Sequence, residues 1–224
     1  MGRQMYIDLD LHFSDGVSEA FMTASKSPSV LTLSIHHAAP GFYPTSPHAA
    51  LTPVDTPNPF NLAIPLLEGA SNDSLHYVWK NCVVPVKDAF SPDFVVLQCG
   101  VDGLAGDPCA VWNLGLDVSS AGSLGNVVGD VINWGVPTLL LGGGGYDSPN
   151  AARAWAYLTS VACGSPLALD TSIPEHSAFP QYAPSFMLEV LPGNRLDLNT
   201  PEYLTTIENN FNELAARIKA LCNT

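Results

Sequence analysis

The sequence predicts an α/β domain: a mostly parallel sheet covered by helices on both faces. Three observations carry that prediction. Apolar runs of strand length alternate with stretches of helical period. Each such run ends where Gly, Asp or His residues gather, as at the carboxyl ends of parallel strands. Hydrophobic residues make up 46% of the chain and charged residues 13%, against a usual charged share of about 25%, so much of the chain is expected to be interior.

Four strands are expected, at Met5–Leu11, Val30–His36, Phe94–Gly100 and Thr138–Leu141. Between and after them lie four helical stretches. Leu75, Val78, Trp79, Cys82, Val83 and Val86 repeat at three and four residues, with Pro85 expected to kink or shorten that helix. Val118, Leu124, Val127, Val128, Val131 and Ile132 form a second, ended near Gly135. Ser148 as N-cap, Pro149 in the first turn and Gly164 past the end bracket a third. The fourth runs from Thr200 and Pro201 to Leu221, with a stripe of Leu204, Ile207, Phe211, Leu214, Ile218 and Leu221. The stretch from Ala38 to Pro65, rich in Pro, Ser, Thr and Asn, reads as one long surface loop with aromatic tips at Phe42, Tyr43 and Phe60, and loops of that length are often functional. Phe179 to Asn199 reads as a second irregular region.

At 224 residues the chain has the length of one domain, or of part of one. Eight Lys plus Arg against 21 Asp plus Glu give a formal net charge of -13, which removes the electrostatic footprint of a nucleic-acid binder and suits a cationic partner. Five cysteines without a C-x-x-C pair or a secretory signal point to a reduced, intracellular protein. No apolar run approaches the roughly 20 residues of a membrane span.

Asp8-Leu9-Asp10-Leu11-His12 is the most informative segment. In extended chain, residues two apart point the same way, which would place Asp8, Asp10 and His12 on one side and Leu9 and Leu11 in the core. A carboxylate from Asp10 and an imidazole from His12 suit zinc or another borderline divalent metal. The plainer alternative is a strand-end Asp capping a loop and a His satisfied by a carbonyl. Asp102, after the third expected strand, would complete two carboxylates and one imidazole with a coordination position left open, as a catalytic metal needs. Gly142 to Gly145 let the backbone approach a ligand closely, but no Lys-Ser or Lys-Thr follows, so this is not a phosphate loop. Tyr146 directly after them is placed to offer its phenol to a developing oxyanion; otherwise it is a Tyr buried by its ring. His36 and His37 are adjacent, their side chains should diverge, and they are expected to be structural. Cys109, beside Asp107 and Pro108, is expected to face the site.

Taken in order, Tyr-Ile-Asp-Leu-Asp-Leu-His, Pro-Gly-Phe-Tyr-Pro, Gln-Cys-Gly-Val-Asp-Gly-Leu-Ala-Gly-Asp-Pro and Leu-Gly-Gly-Gly-Gly-Tyr resemble the zinc-dependent histone deacetylases, class I in type. The resemblance runs from about residue 5 to the final helix and implies an arginase/deacetylase-like fold. It implies Asp10, His12 and Asp102 as zinc ligands, and Tyr146 as the catalytic residue that polarises the acetyl carbonyl. Phe42, Tyr43, Gly144, Gly145 and Cys109 would line the acetyl-lysine tunnel. Asp8 and Asp15 match carboxylates that orient a histidine pair. Main-chain oxygens around Asp8, Asp10, His12, Ser34 and Ile35 resemble a structural monovalent-cation site, usually potassium. The implied activity is hydrolysis of acetyl-lysine on histone tails or other proteins, in the nucleus and also the cytoplasm, with corepressor subunits as partners and neither nucleic acid nor membrane contacted directly.

The sequence departs from that family in two places. The Gly-rich segment with adjacent histidines that precedes the first motif has no counterpart here, and Phe13 stands where a second His is frequent. Residues 1–224 are therefore expected to be the C-terminal portion of a deacetylase catalytic domain, its N-terminal part missing. The alternatives are a catalytically inactive fragment that serves as a binding piece, an acetylpolyamine amidohydrolase, or a manganese ureohydrolase, the last disfavoured by Gly142 to Tyr146.

Overall fold

Strands β1 (Gln4–Asp8), β2 (Val30–His37), β3 (Asn61–Leu66), β4 (Phe94–Cys99) and β5 (Thr138–Gly142) form one sheet in the order β3-β2-β1-β4-β5. The structure is a computed structural model and describes residues 2–22, 29–109 and 111–223. Every pairing is parallel. The register sets Asp8 beside Ser34 and Gln98, and Gln98 beside Leu141. The segments leaving β1, β4 and β5 therefore emerge together at the carboxyl end of the sheet, where open α/β sheets bind ligands.

Two expectations about the strands need correction. The first strand stops at Asp8 rather than Leu11, because side-chain bonds replace the ladder there: the Asp10 N–H donates to Asp8 Oδ1 at 3.0 Å and the His12 N–H to Asp10 Oδ1 at 3.0 Å. Such bonds to a backbone two residues on turn the chain. The stretch from Ala38 to Pro65 is not one loop, since it contains a 3-10 turn at Pro47–Ala49 and all but the last residue of β3. β3 is an edge strand, which is where a ladder tolerates Pro65.

Helix α1 (Asp15–Met22) was not foreseen; eight residues with one glycine give too short a period to read. Helices α2 (Asn72–Val78) and α3 (Val84–Phe90) are joined by a π-helical turn at Trp79–Val83. That turn lies just ahead of Pro85, and Pro and π-bulges are the usual reasons a helix departs from straight α geometry. The stripe from Leu75 to Val86 stays buried throughout. Helix α4 (Leu124–Asn133) is capped by Ser123 and leaves Val118 outside it. Helix α5 (Ser148–Ala162) takes Asp147 as N-cap, one residue before the Ser148 expected, and Gly164 past its end has φ +71°. Helix α6 (Pro201–Cys222) is capped by Thr200 and buries Leu204, Ile207, Phe211, Leu214 and Ile218, while Leu221 is exposed.

Met5, Ile7, Leu31, Leu33, Leu62, Ile64, Val95 and Leu97 on one sheet face are buried in a single core with these helical stripes. The opposite face is covered over β2 and β3 by α1, where Ser18 Oγ donates to Asn61 Oδ1 at 2.8 Å and Asn61 Nδ2 to the Ser18 carbonyl at 2.7 Å. Toward β5 that face opens: Tyr6, Val96 and Gln98 are half-buried, and Leu139 and Leu141 are 47% and 40% exposed.

Candidate metal centre

Asp10 and His12 leave the end of β1 and Asp102 the end of β4, and the bends after Asp8 bring all three together. His12 Nδ1 lies 2.9 Å from Asp102 Oδ2 and 3.2 Å from Asp10 Oδ1. One ligand atom from each residue falls within 4.8 Å of the others. The sequence expected this set from an extended strand; the bends achieve it instead.

The carboxylates are held in place by backbone. The Leu11 N–H donates to Asp102 Oδ1 at 2.8 Å, and Asp10 Oδ2 accepts from the Gly144 N–H at 2.7 Å and Gln98 Nε2 at 3.0 Å. Glycine is required at two of these approaches. A Cβ on Gly144 would lie 2.2 Å from Asp102 Oδ2, and one on Gly100 2.2 Å from Asp10 Oδ2.

Electrostatics follow from packing two acids around one imidazole. Hydrogen bonds to Asp10 and then Asp102 raise the His12 pKa to about 9. Burial pushes Asp10 up, but the hydrogen bonds from His12, Gln98 and Gly144 outweigh it and hold the carboxyl well below the usual range. Burial pushes Asp102 up, and the adjacent Asp10 charge adds to that. Two adjacent carboxylates and an imidazole whose Nδ1 faces both form a donor set of three suited to a divalent cation.

Aromatic rings wall the centre. Phe42 stacks on the His12 ring at 5.2 Å and 12°, and His37 meets Phe42 edge-on at 4.6 Å. Tyr43, 73% exposed, and Tyr146, 56% exposed, present edges to His12 at 6.1 and 6.5 Å. Partial burial, then the charges of Asp102 and Asp10, push the Tyr146 phenol up. Cys109 packs against the core nearby.

The remaining expected residues are placed as follows. Asp8 is buried and accepts from Tyr6 Oη at 2.5 Å and the Asp10 N–H, and burial raises its pKa to about 7. Asp15 opens α1, its Oδ1 accepting from the Gly16 N–H at 2.7 Å. Among the described residues neither has an imidazole partner. Both line a cavity of ≈ 250 Å³ with Asp10, His12, Ser14, Gln98 and Tyr146. Ser34 and Ile35 lie on β2, with Ser34 paired to Asp8 at the end of β1. The histidine pair diverges as expected: His36 contacts Ser34 Oγ and the Ala49 carbonyl, and His37 the Leu66 carbonyl.

Three contributors were missed. Gln98 steadies Asp10, His37 backs Phe42, and Asp107 accepts the Tyr146 N–H. Only Asp107 carried a local signal, since Asp-Pro-Cys is a turn sequence whose Asp accepts the N–H two residues on.

A parallel α/β sheet with an Asp–His–Asp cluster at its carboxyl end and a glycine-led tyrosine beside it defines an α/β domain with a candidate metal site. Comparison with known proteins makes this specific: the histone deacetylase domain family matches residues 1–162. The chain is 36% identical over 213 residues to histone deacetylase 8 of Xenopus laevis, covering 93% of this chain and 62% of that protein. It is 37% identical over 205 residues to histone deacetylase 8 of Danio rerio, covering 92% and 52%, and 33% identical over 209 residues to histone deacetylase RPD3 of Saccharomyces cerevisiae, covering 93% and 46%. The chain belongs to the histone deacetylase family and spans about half the length of the curated relatives it matches.

Proposed function

We propose that this chain carries the metal-binding and tyrosine-bearing portion of a protein lysine deacetylase, with acetyl-lysine on histone tails or other nuclear proteins as substrate. The observation that carries the reading is the convergence of Asp10, His12 and Asp102 beside Tyr146 under an aromatic wall. Asp10, His12 and Asp102 would hold zinc, which when bound supplies Lewis acidity toward the acetyl oxygen and the hydrolytic water.

The chain's own residues then divide the remaining work. Phe42 and Tyr43 flank the uncharged methylene stem of the acyl-lysine. Tyr146, its phenol kept protonated, donates to the oxygen on which negative charge grows. Gly144 lets its backbone close on Asp10 and Asp102, where a Cβ would collide with the Asp102 carboxylate. The formal charge of -13 draws in a basic tail. Main-chain oxygens around Asp8, Asp10, His12, Ser34 and Ile35 are read as a potassium site that stiffens this corner. Corepressor subunits are the partners the family reading implies.

Amide hydrolysis also needs a group to take the proton of water and pass it to the leaving amine. No imidazole besides His12 lines the Asp8–Asp15 cavity among the described residues. We assign residues 1–224 to part of a catalytic domain whose remaining part supplies that base against Asp8 and Asp15. The second reading, an inactive metal-binding piece, is favoured by the same unpartnered pair of carboxylates.

Turnover of a fluorogenic acetyl-lysine peptide by the zinc-loaded chain, alone and joined to a relative's histidine-bearing upstream segment, with a chelator control, decides between them, since only the first reading predicts turnover on joining. Stoichiometric zinc binding without turnover is the expected result for the chain alone. Chelator-sensitive turnover would overturn the assignment of the base to another segment, and failure to bind zinc would overturn the reading itself.

A further inference from the structure

Asp107 stands outside the metal cluster, is 9% exposed, and has no cationic side chain within ion-pair distance among the described residues. Its carboxylate is solvated by backbone instead. Oδ1 accepts from the Cys109 N–H at 2.8 Å, and Oδ2 from the Tyr146 N–H at 2.6 Å and the Asp147 N–H at 3.3 Å. A turn at Cys109 needs only the first of these bonds. The other oxygen reaches 39 residues along the chain to hold the backbone of Tyr146.

That backbone has few other holds. Gly142 to Gly145 have no side chains, and Gly145 sits at φ +149°. Upstream, Gly144 is fixed by its N–H on Asp10 and by its carbonyl, which accepts from the Val101 N–H at 2.7 Å. Downstream, Asp147 caps α5 through the Asn150 N–H at 2.9 Å. The Tyr146 ring, more than half exposed, meets only the edge of His12 among recorded ring contacts. Its backbone therefore sets the point and direction from which the side chain leaves toward His12.

The geometry points to Asp107 as the positioning residue of Tyr146: one buried carboxylate pins the tyrosine, the start of α5 and the Cys109 wall to a common point. Its consequence for turnover rests on the deacetylase reading; the brace itself does not. Replacing it with Asn turns one of its two acceptor sites into a donor facing an N–H.

Residue-resolved amide hydrogen exchange on zinc-loaded full chain tests the brace directly. In the wild type, the Tyr146 N–H should exchange as slowly as the Leu11 and Gly144 N–H; fast exchange at Tyr146 would sink the proposal before any variant is made. In Asp107→Asn, Tyr146 and Asp147 should exchange on the order of tenfold faster, about the factor of one net hydrogen bond. Leu11, Gly144 and zinc stoichiometry should not move. Unchanged Tyr146 exchange, or faster exchange spread across the whole chain, would overturn it.

In any assembly that turns over, Asp107→Asn should lower kcat with little change in KM, and should cost nothing further in a Tyr146→Phe background. Additive losses would show that Asp107 acts elsewhere. An inactive wild type would bear on the deacetylase reading alone, since the exchange arm still decides the brace.

Discussion

Each residue of the Asp10–His12–Asp102 cluster makes contacts that do not depend on a metal, and substitutions must be read with that in mind. Asp102 faces His12 with one oxygen and anchors the Leu11 N–H with the other. Asp102→Ala removes both, whereas Asp102→Asn removes the charge and keeps an acceptor for Leu11. Both variants should lose stoichiometric zinc binding, and only the alanine variant should also melt lower; retained binding in Asp102→Asn would refute the ligand assignment. His12 sets the pH window. Its pKa is raised by Asp10 and Asp102 to about 9 from the ordinary 6.5. In metal-free protein this interaction contributes fully below the unfolded value and is lost as pH rises through about 9. A ligand must be neutral, so zinc binding displaces that proton. Apparent zinc affinity should therefore climb between pH 6.5 and about 9, with proton release visible as buffer-dependent heat in calorimetry. A flat profile would argue that His12 is not a ligand. At this scale residue type and order were readable: the structure brings Asp10, His12 and Asp102 within reach of one another, with Tyr146 edge-on to His12. The geometry was not, because the extended-strand argument for Asp8, Asp10 and His12 fails where Asx-type bonds bend the chain.

Among elements, long periodic stretches were legible and short or interrupted ones were not. α6 and α5 announce themselves by cap, stripe and closing residue, each a local property. α1 has eight residues, and β3 carries a proline on an edge strand inside a loop-like composition, so neither has a period long enough to read. The π turn at Trp79–Val83 keeps its stripe buried although the repeat there is no longer strictly α. The stripe of α6 gives the clearest stability test. Phe211 is fully buried in the core, while Asn212 next to it is exposed. Phe211→Ala should cost about 3–5 kcal/mol in denaturant unfolding. Asn212→Ala should stay within about 0.5 kcal/mol. Comparable small effects at both positions would mean that α6 is docked loosely rather than built into the core.

For the whole molecule, the informative feature is asymmetry between the two sheet faces. One face is sealed by helical stripes, and the other is covered over β2 and β3 only. β5 pairs with β4 alone among the described residues and carries Thr-Leu-Leu-Leu-Gly, without the lysine or proline that usually protects an exposed edge. Leu139 and Leu141 stand exposed on the open side, with Trp155 of α5 also part-exposed. This sequence cannot be told from a buried central strand by pattern, which is why an apolar run predicted the strand but not its position at an edge. Such a surface associates when left uncovered. We expect the chain alone to self-associate through β5, and Leu139→Lys with Leu141→Lys to shift it toward monomer in light scattering at micromolar concentration. The two lysines bring the formal net charge closer to zero from -13, so weaker association could not be credited to greater overall repulsion. Zinc binding should be unchanged in Leu139→Lys alone; Leu141 pairs with Gln98, which holds Asp10, so the double variant is no control for the metal site. If wild type and variant are equally monomeric, the open face is not an association surface.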